Sequence, residues 1–130
     1  MKIIVACDSY KGCMTSREVA DNITAAIHRV DPAIDVVSYT MADGGEGTAA
    51  AFCDACGGEM VEAATTNAYG RKISAQYALI EDGRTAVIEA AGCIGLAMHP
   101  REKRNPLMAS SFGVGTLMLD AQRRGRYSDQ

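Results

Sequence analysis

The chain has 130 residues, of which 48% are hydrophobic and 22% charged, a size and balance that suit one globular domain with a sizeable core and argue against disorder. A net charge of −3 and a pI near 5.3 give no electrostatic reason to expect nucleic acid or an anionic membrane as partner. No apolar run approaches the ~20 residues needed to cross a bilayer, and the N-terminus enters a strand-like run without signal-peptide architecture, so a cytoplasmic location is expected.

Residues 2–6, Lys-Ile-Ile-Val-Ala, read as a short buried parallel strand. The loop after it, Asp8-Ser9-Tyr10-Lys11-Gly12, sets a carboxylate, a hydroxyl, an ammonium and a flexible glycine at the carboxyl end of that strand, where open α/β sheets hold their ligands. Lys11 is either a point charge for a phosphate or carboxylate or a solvated loop lysine. Thr15-Ser16-Arg17-Glu18 is a capping box that opens a helix. Val19, Ala20, Ile23, Ile27 and Val30 then form one apolar stripe, read as core, with His28 beside it, and Pro32 stops the helix. Residues 34–39 make a second strand and complete a β-α-β unit.

The next stretch, Ala42-Asp43-Gly44-Gly45-Glu46-Gly47-Thr48, is the most informative. Glycines let the backbone adopt positive φ and let a ligand approach closely, and the N–H groups at a helix start can receive an anion. Asp43 and Glu46 are either a capping box for the following helix or a carboxylate pair for magnesium or proton transfer. Leaving the same edge of one parallel sheet, the Asp8–Gly12 and Asp43–Thr48 loops should face each other across a cleft. A helix follows through Cys56, with Gly57-Gly58 as its stop.

From Glu59 the period changes. Residues 60–65, 72–80 and 85–89 are strand-like, with turns at Tyr69-Gly70 and Glu81-Asp82-Gly83, so this half is mixed or antiparallel and either alters the sheet or forms a second lobe. Glu89, closing the last strand before Ala90-Ala91-Gly92-Cys93-Ile94-Gly95-Leu96, is a site candidate or a solvated strand-end acid. His99, Arg101, Lys103 and Arg104 gather before Asn105-Pro106, where Arg104 or Arg101 could grip a carboxylate or phosphate. Val114, Leu117, Met118 and Ala121 mark a final helix stopped at Gly125, and residues 126–130 carry no structural signal where an α/β pattern would bring another strand. The expected organisation is one α/β region over 1–130, a β-α-β-α unit over 1–58 and mixed strands with a final helix over 59–125.

Five cysteines, Cys7, Cys13, Cys53, Cys56 and Cys93, lack the regular framework of a small secreted domain. Cys53 and Cys56 form a lone CxxC, read as two small residues on one helix face or, less simply, as a zinc or redox site. The P-loop lysine motif, H-E-x-x-H and G-x-S-x-G are absent, and Gly45, Gly47 and Ala50 match only the loose form of the dinucleotide fingerprint.

Taken together, Asp8-Ser9-Tyr10-Lys11-Gly12, Met41-Ala42-Asp43-Gly44-Gly45-Glu46-Gly47-Thr48, Glu89 to Leu96, and Arg104-Asn105-Pro106 with Ser110-Ser111-Phe112-Gly113-Val114-Gly115 resemble the bacterial type I glycerate kinases in order and spacing. The resemblance implies a two-lobed α/β kinase with its active site between the lobes. It implies ATP and Mg2+ as cofactors, D-glycerate as acceptor and 2-phosphoglycerate as the favoured product, in glyoxylate and sugar-acid catabolism. By motif position, Lys11 and Asp43 are the implied catalytic residues and Asp43 and Glu46 the implied metal ligands. Asp8, Ser9, Lys11, Gly44, Gly45, Glu46, Gly47, Thr48, Glu89 and Arg104 are implied in substrate or phosphate binding. Family members are much longer, and a further glycine-rich segment with an Asn-Asp pair is not found, so the resemblance covers the amino-terminal third. Tyr10 stands where phenylalanine is usual, and Asn67-Ala68-Tyr69-Gly70 where a Gly-Pro is typical. A second expectation, from another class, is a truncated, non-catalytic module that binds a small anion and forms a homo-oligomer through its exposed sheet edge.

Overall fold

The computed structural model describes residues 1–125; residues 126–130, read as carrying no structural signal, lie outside the described residues. The fold is α/β, with one parallel and one antiparallel sheet.

Strand β1 (Lys2–Cys7) and strand β2 (Asp35–Thr40) pair in parallel, from Lys2 beside Asp35 to Cys7 beside Thr40. Between them runs helix α1 (Ser16–Val30). It starts where the capping box predicts: the Thr15 hydroxyl accepts the Glu18 N–H at 3.2 Å, and Glu18 accepts the Thr15 N–H at 2.7 Å. The apolar stripe is core only in its first half. Val19 and Ala20 are buried, but Ile23 is at the surface and Val30 is 86% exposed. His28 Nε2 lies 3.1 Å from the Ile34 carbonyl and so closes the helix onto the following turn.

Helix α2 (Thr48–Cys56) begins later than an Asp43 cap requires. Its N-cap is Gly47, left-handed at φ +90, a conformation only glycine adopts cheaply, and Gly57 ends it at φ +69. The capping-box reading of Asp43 and Glu46 is therefore replaced: Asp43 turns back onto its own loop.

Strand β3 (Gly58–Thr66), β4 (Lys72–Ile80) and β5 (Thr85–Val87) form a separate antiparallel sheet in the order β3-β4-β5. The turn into β5 is left-handed through Glu81, Asp82 and Gly83, two of them non-glycine residues held by the closing strands. The expected third strand is shorter than its sequence run, and Glu89 stands two residues beyond it. A single-turn helix α3 (Ala91–Ile94) follows, then short 3-10 turns over Leu96–Met98, Arg101–Lys103 and Pro106–Met108, and helix α4 (Phe112–Arg124).

One face of this sheet is the main core. Val61, Ala63, Ala75, Tyr77 and Leu79 meet Cys93 of α3 and Leu117 and Ala121 of α4. On the opposite face Ala78 and Ile80 pack against Ala49 and Cys53 of α2, so α2 joins the two sheets and Cys53 serves as packing. All five cysteines are free thiols.

Candidate active site

The two glycine-bearing loops do face each other, and a cavity of about 460 Å³ lies between them. Ser9, Lys11 and Gly12 line one wall, Glu46 and Gly47 the other, and the first turn of α1 with Arg17 and the end of β2 at Thr40 form the floor. Burial of Ser16 sets this spacing. Its hydroxyl donates to the Cys7 carbonyl at 2.6 Å and accepts the Met41 N–H at 2.9 Å, tying the exits of β1 and β2 to the start of α1.

Within the first loop, Tyr10 and Met14 exchange backbone hydrogen bonds and Gly12 turns at φ +75, which holds Lys11 outward at the tip. Asp8 accepts the Ser9 N–H at 2.6 Å and does not line the cavity. In the second loop, Asp43 Oδ1 accepts the Gly45 N–H at 3.0 Å, Gly44 takes φ +95, and the Thr48 hydroxyl donates to the Gly45 carbonyl at 2.8 Å. Asp43 Oδ2 meets the Lys11 ammonium at 3.7 Å, bridging the loops; Lys11 lines the cavity and Asp43 does not. The Gly45 N–H, and after it the Lys11 charge, hold the Asp43 carboxyl below its ordinary range, so it is ionised at neutral pH.

Glu89 does not line this cavity. It passes beneath the loop and accepts the Ala49 N–H at 3.0 Å. A protein carboxylate thus already occupies part of the α2 N-terminus, which the sequence suggested as an anion-receiving end. Glu89 borders a second hollow, with Gly47, Glu62, Ser74 and Gln76. Arg104 is remote from both: its Nε donates to the His99 carbonyl at 3.0 Å, in a small knot where Tyr69 lies edge-on to His99 at 4.8 Å and accepts the Asn105 N–H at 2.8 Å.

Sequence reasoning gave no site role to the Arg17–Asp54 pair on the cavity floor. Arg17 Nη2 donates to Asp54 Oδ2 at 2.9 Å, and the Thr40 hydroxyl reaches the same oxygen at 3.1 Å. Arg17 hid inside the capping box, and its partner lies 37 residues away with no local pattern to announce it.

Among the described residues no group of three or more His, Cys, Asp or Glu side chains is gathered for a metal. Of the expected metal pair, Glu46 lines the cavity, whereas Asp43 does not and directs its oxygens to the Gly45 N–H and the Lys11 ammonium.

The Glycerate kinase family model matches residues 3–128. The chain belongs to the glycerate kinase family. It is 44% identical over 118 residues to a glycerate kinase from Haemophilus influenzae, covering 91% of this chain and 31% of that protein. It is 42% identical over 125 residues to glycerate 2-kinase from Escherichia coli K12, covering 96% of this chain and 33% of the relative. The solved structure of a protein described as glycerate kinase 2 from Salmonella typhimurium LT2 superposes with a TM-score of 0.75 at 38% identity, over 95% of this chain and 33% of that one. The chain therefore spans about a third of the length of the glycerate kinases it matches. Among the described residues, no helix is long and apolar enough to cross a membrane.

Proposed function

We propose that this chain carries the acceptor-side loops of an ATP-dependent glycerate kinase that phosphorylates D-glycerate to 2-phosphoglycerate in the cytoplasm. The observation that carries the reading is the Lys11–Asp43 pair, which bridges the two glycine-bearing loops with Lys11 lining the cavity between them. Phosphoryl transfer depends on positioned charge rather than covalent chemistry with the protein. Lys11, exposed at a loop tip, can leave Asp43 for a phosphate or carboxylate oxygen at little cost, since an ion pair in solvent contributes only ~0–1 kcal/mol.

Asp43 stays ionised and is fixed through Gly45, so it presents its second oxygen to the acceptor hydroxyl or to magnesium. Glu46, on the cavity wall, is the second carboxylate of the proposed metal pair. Bound there, magnesium would neutralise phosphate charge. Ser9 and Gly47 line the walls, and Gly44, Gly45 and Thr48, outside the lining, would serve the anion only by building the loop behind them. Glu89 caps the helix behind the second loop, and Arg104 lies outside this cavity.

The test is coupled ADP release with D-glycerate, ATP and Mg2+, comparing the chain with Lys11→Ala and Asp43→Asn. Turnover that falls at least a hundredfold in both supports the proposed roles. Turnover that survives both removes them. A folded chain that binds glycerate without releasing ADP favours instead the anion-binding, non-catalytic module.

A further inference from the structure

The cavity floor holds a cation that the roles given to Lys11, Asp43 and Glu46 leave unused. Arg17 of α1 donates through Nη2 to Asp54 Oδ2 of α2 at 2.9 Å, and the Thr40 hydroxyl at the end of β2 donates to the same oxygen at 3.1 Å. Three elements thus meet behind one guanidinium and hold it at the cavity. A guanidinium carries five N–H donors in a planar fork. Among the described residues the Arg17 side chain hydrogen-bonds only to Asp54, so most of that fork is unengaged.

The other charged groups of the lining are already committed or stand elsewhere. Glu18 is turned onto Thr15, Asp54 onto Arg17 and Thr40, and Lys11 sits at a loop tip beside Asp43, while Glu46 belongs to the opposite wall. Tyr10, Met14, Met41 and Ala50 make much of the remaining surface apolar. An apolar hollow with a few convergent polar groups is the usual form of a small-molecule site. Its two cations differ in kind. A lysine ammonium on a flexible stem is a point charge suited to a phosphoryl group, whereas an arginine fork matches a planar carboxylate with two parallel hydrogen bonds.

We propose that Arg17 determines specificity for the carboxylate of the acceptor, gripping it on the cavity floor and leaving the hydroxyl end toward Lys11 and Glu46. Asp54 is a positioning residue that holds the guanidinium. The assignment rests on the reading of this cavity as the acceptor site and names the substrate class as short hydroxy acids, with neutral polyols excluded. A neutral analogue would leave the fork without its charged acceptor.

The experiment is an NMR titration of the 130-residue chain, without nucleotide, against D-glycerate and against its neutral isostere D-glyceramide. The unmodified chain should prefer the carboxylate about tenfold or more, with amide shifts centred on residues 16–18 and 40. Arg17→Gln should weaken glycerate about tenfold or more and leave glyceramide within about twofold, so that the preference disappears. Arg17→Lys, which keeps the charge and loses the fork, should recover only part of it. Arg17 is exposed on the first turn of α1, so both variants should keep the dispersed spectrum of the folded chain. Failure of the unmodified chain to bind glycerate, equal binding of the two ligands, or a preference that survives Arg17→Gln would each overturn the proposal. ADP release is followed separately. Turnover that needs Lys11 and Asp43 but keeps its KM for glycerate in Arg17→Gln would remove this assignment and leave the phosphorylation reading standing. An Arg17-dependent preference in a chain that releases no ADP would keep the assignment and favour the anion-binding module.

Discussion

Glu89 reaches across 40 residues of sequence to accept the Ala49 N–H at 3.0 Å, and this bond is the cap that α2 cannot make for itself. Gly47 at the N-cap has no side chain to offer, so the first turn is satisfied from the segment after β5. Glu89→Ala should destabilise the fold by about 1–2 kcal/mol, as loss of a side-chain cap does. Glu89→Gln keeps an accepting oxygen and loses only the charge–dipole part, about 0.3–1 kcal/mol. Urea midpoints compare the two, and equal losses in both variants would mean that the hydrogen bond contributes nothing beyond charge.

The Asp43 loop should open in acid. Its carboxyl lies below the ordinary value of 3.8 because the Gly45 N–H and then Lys11 favour the ionised form. A lowered folded value stabilises the folded loop above the unfolded value, and that contribution is lost as pH falls through the lower folded one. The protection factor of the Gly45 amide, its rate relative to the intrinsic rate at the same pH, should therefore hold at pH 5 and fall only below about pH 4, in the acidic tail of carboxylate titration. Lys11→Ala should raise the midpoint part of the way, since the larger cause remains, and an unmoved midpoint would mean that the salt bridge has no effect.

Tyr77 should defend the fold into alkali and then release it. Its fully buried phenol donates to Asp120 at 2.9 Å, and burial followed by the Asp120 bond pushes its pKa to about 12. A raised folded value gives stability that is complete below the ordinary value of 10 and disappears as pH climbs toward 12. Thermal melts from pH 9 to 12 should show this decline, together with a late phenolate absorbance step. Tyr77→Phe should abolish the late step, and an unchanged titration would refute the assignment.

Two glycines of α4 should respond in opposite directions. A Cβ on Gly113 would collide with the Thr66 carbonyl where the helix crosses β3, while one on Gly115 meets nothing within 4 Å. Gly113→Ala should cost about 1–3 kcal/mol through forced separation. Gly115→Ala should stabilise by roughly 0.5–1 kcal/mol, because alanine loses less backbone entropy in a helix. Chemical denaturation of the two variants checks the contrast, and destabilisation by both would place Gly115 against an unseen neighbour.

Local chemistry carried much of the architecture into view. The Thr15–Glu18 box, the β-branched runs of β1 and β2, the alternation of β3 and β4, and the glycine stop at Gly57 depend on neighbours a few residues away, so sequence order by itself determines them. The motif series from Asp8 to Gly115 likewise placed the chain in its family before any geometry was known. Tertiary structure decided the rest. Glu89 became a helix cap instead of a strand-end acid, Arg104 turned away from the cavity, Arg17 found Asp54, and the α1 stripe lost cover at Val30. Each of these outcomes depends on which distant element fills the space around a side chain. A carboxylate or guanidinium carries the same charge in any loop, but its role is set by the donor or acceptor that folding brings within 3 Å, and periodicity along the chain holds no record of that meeting.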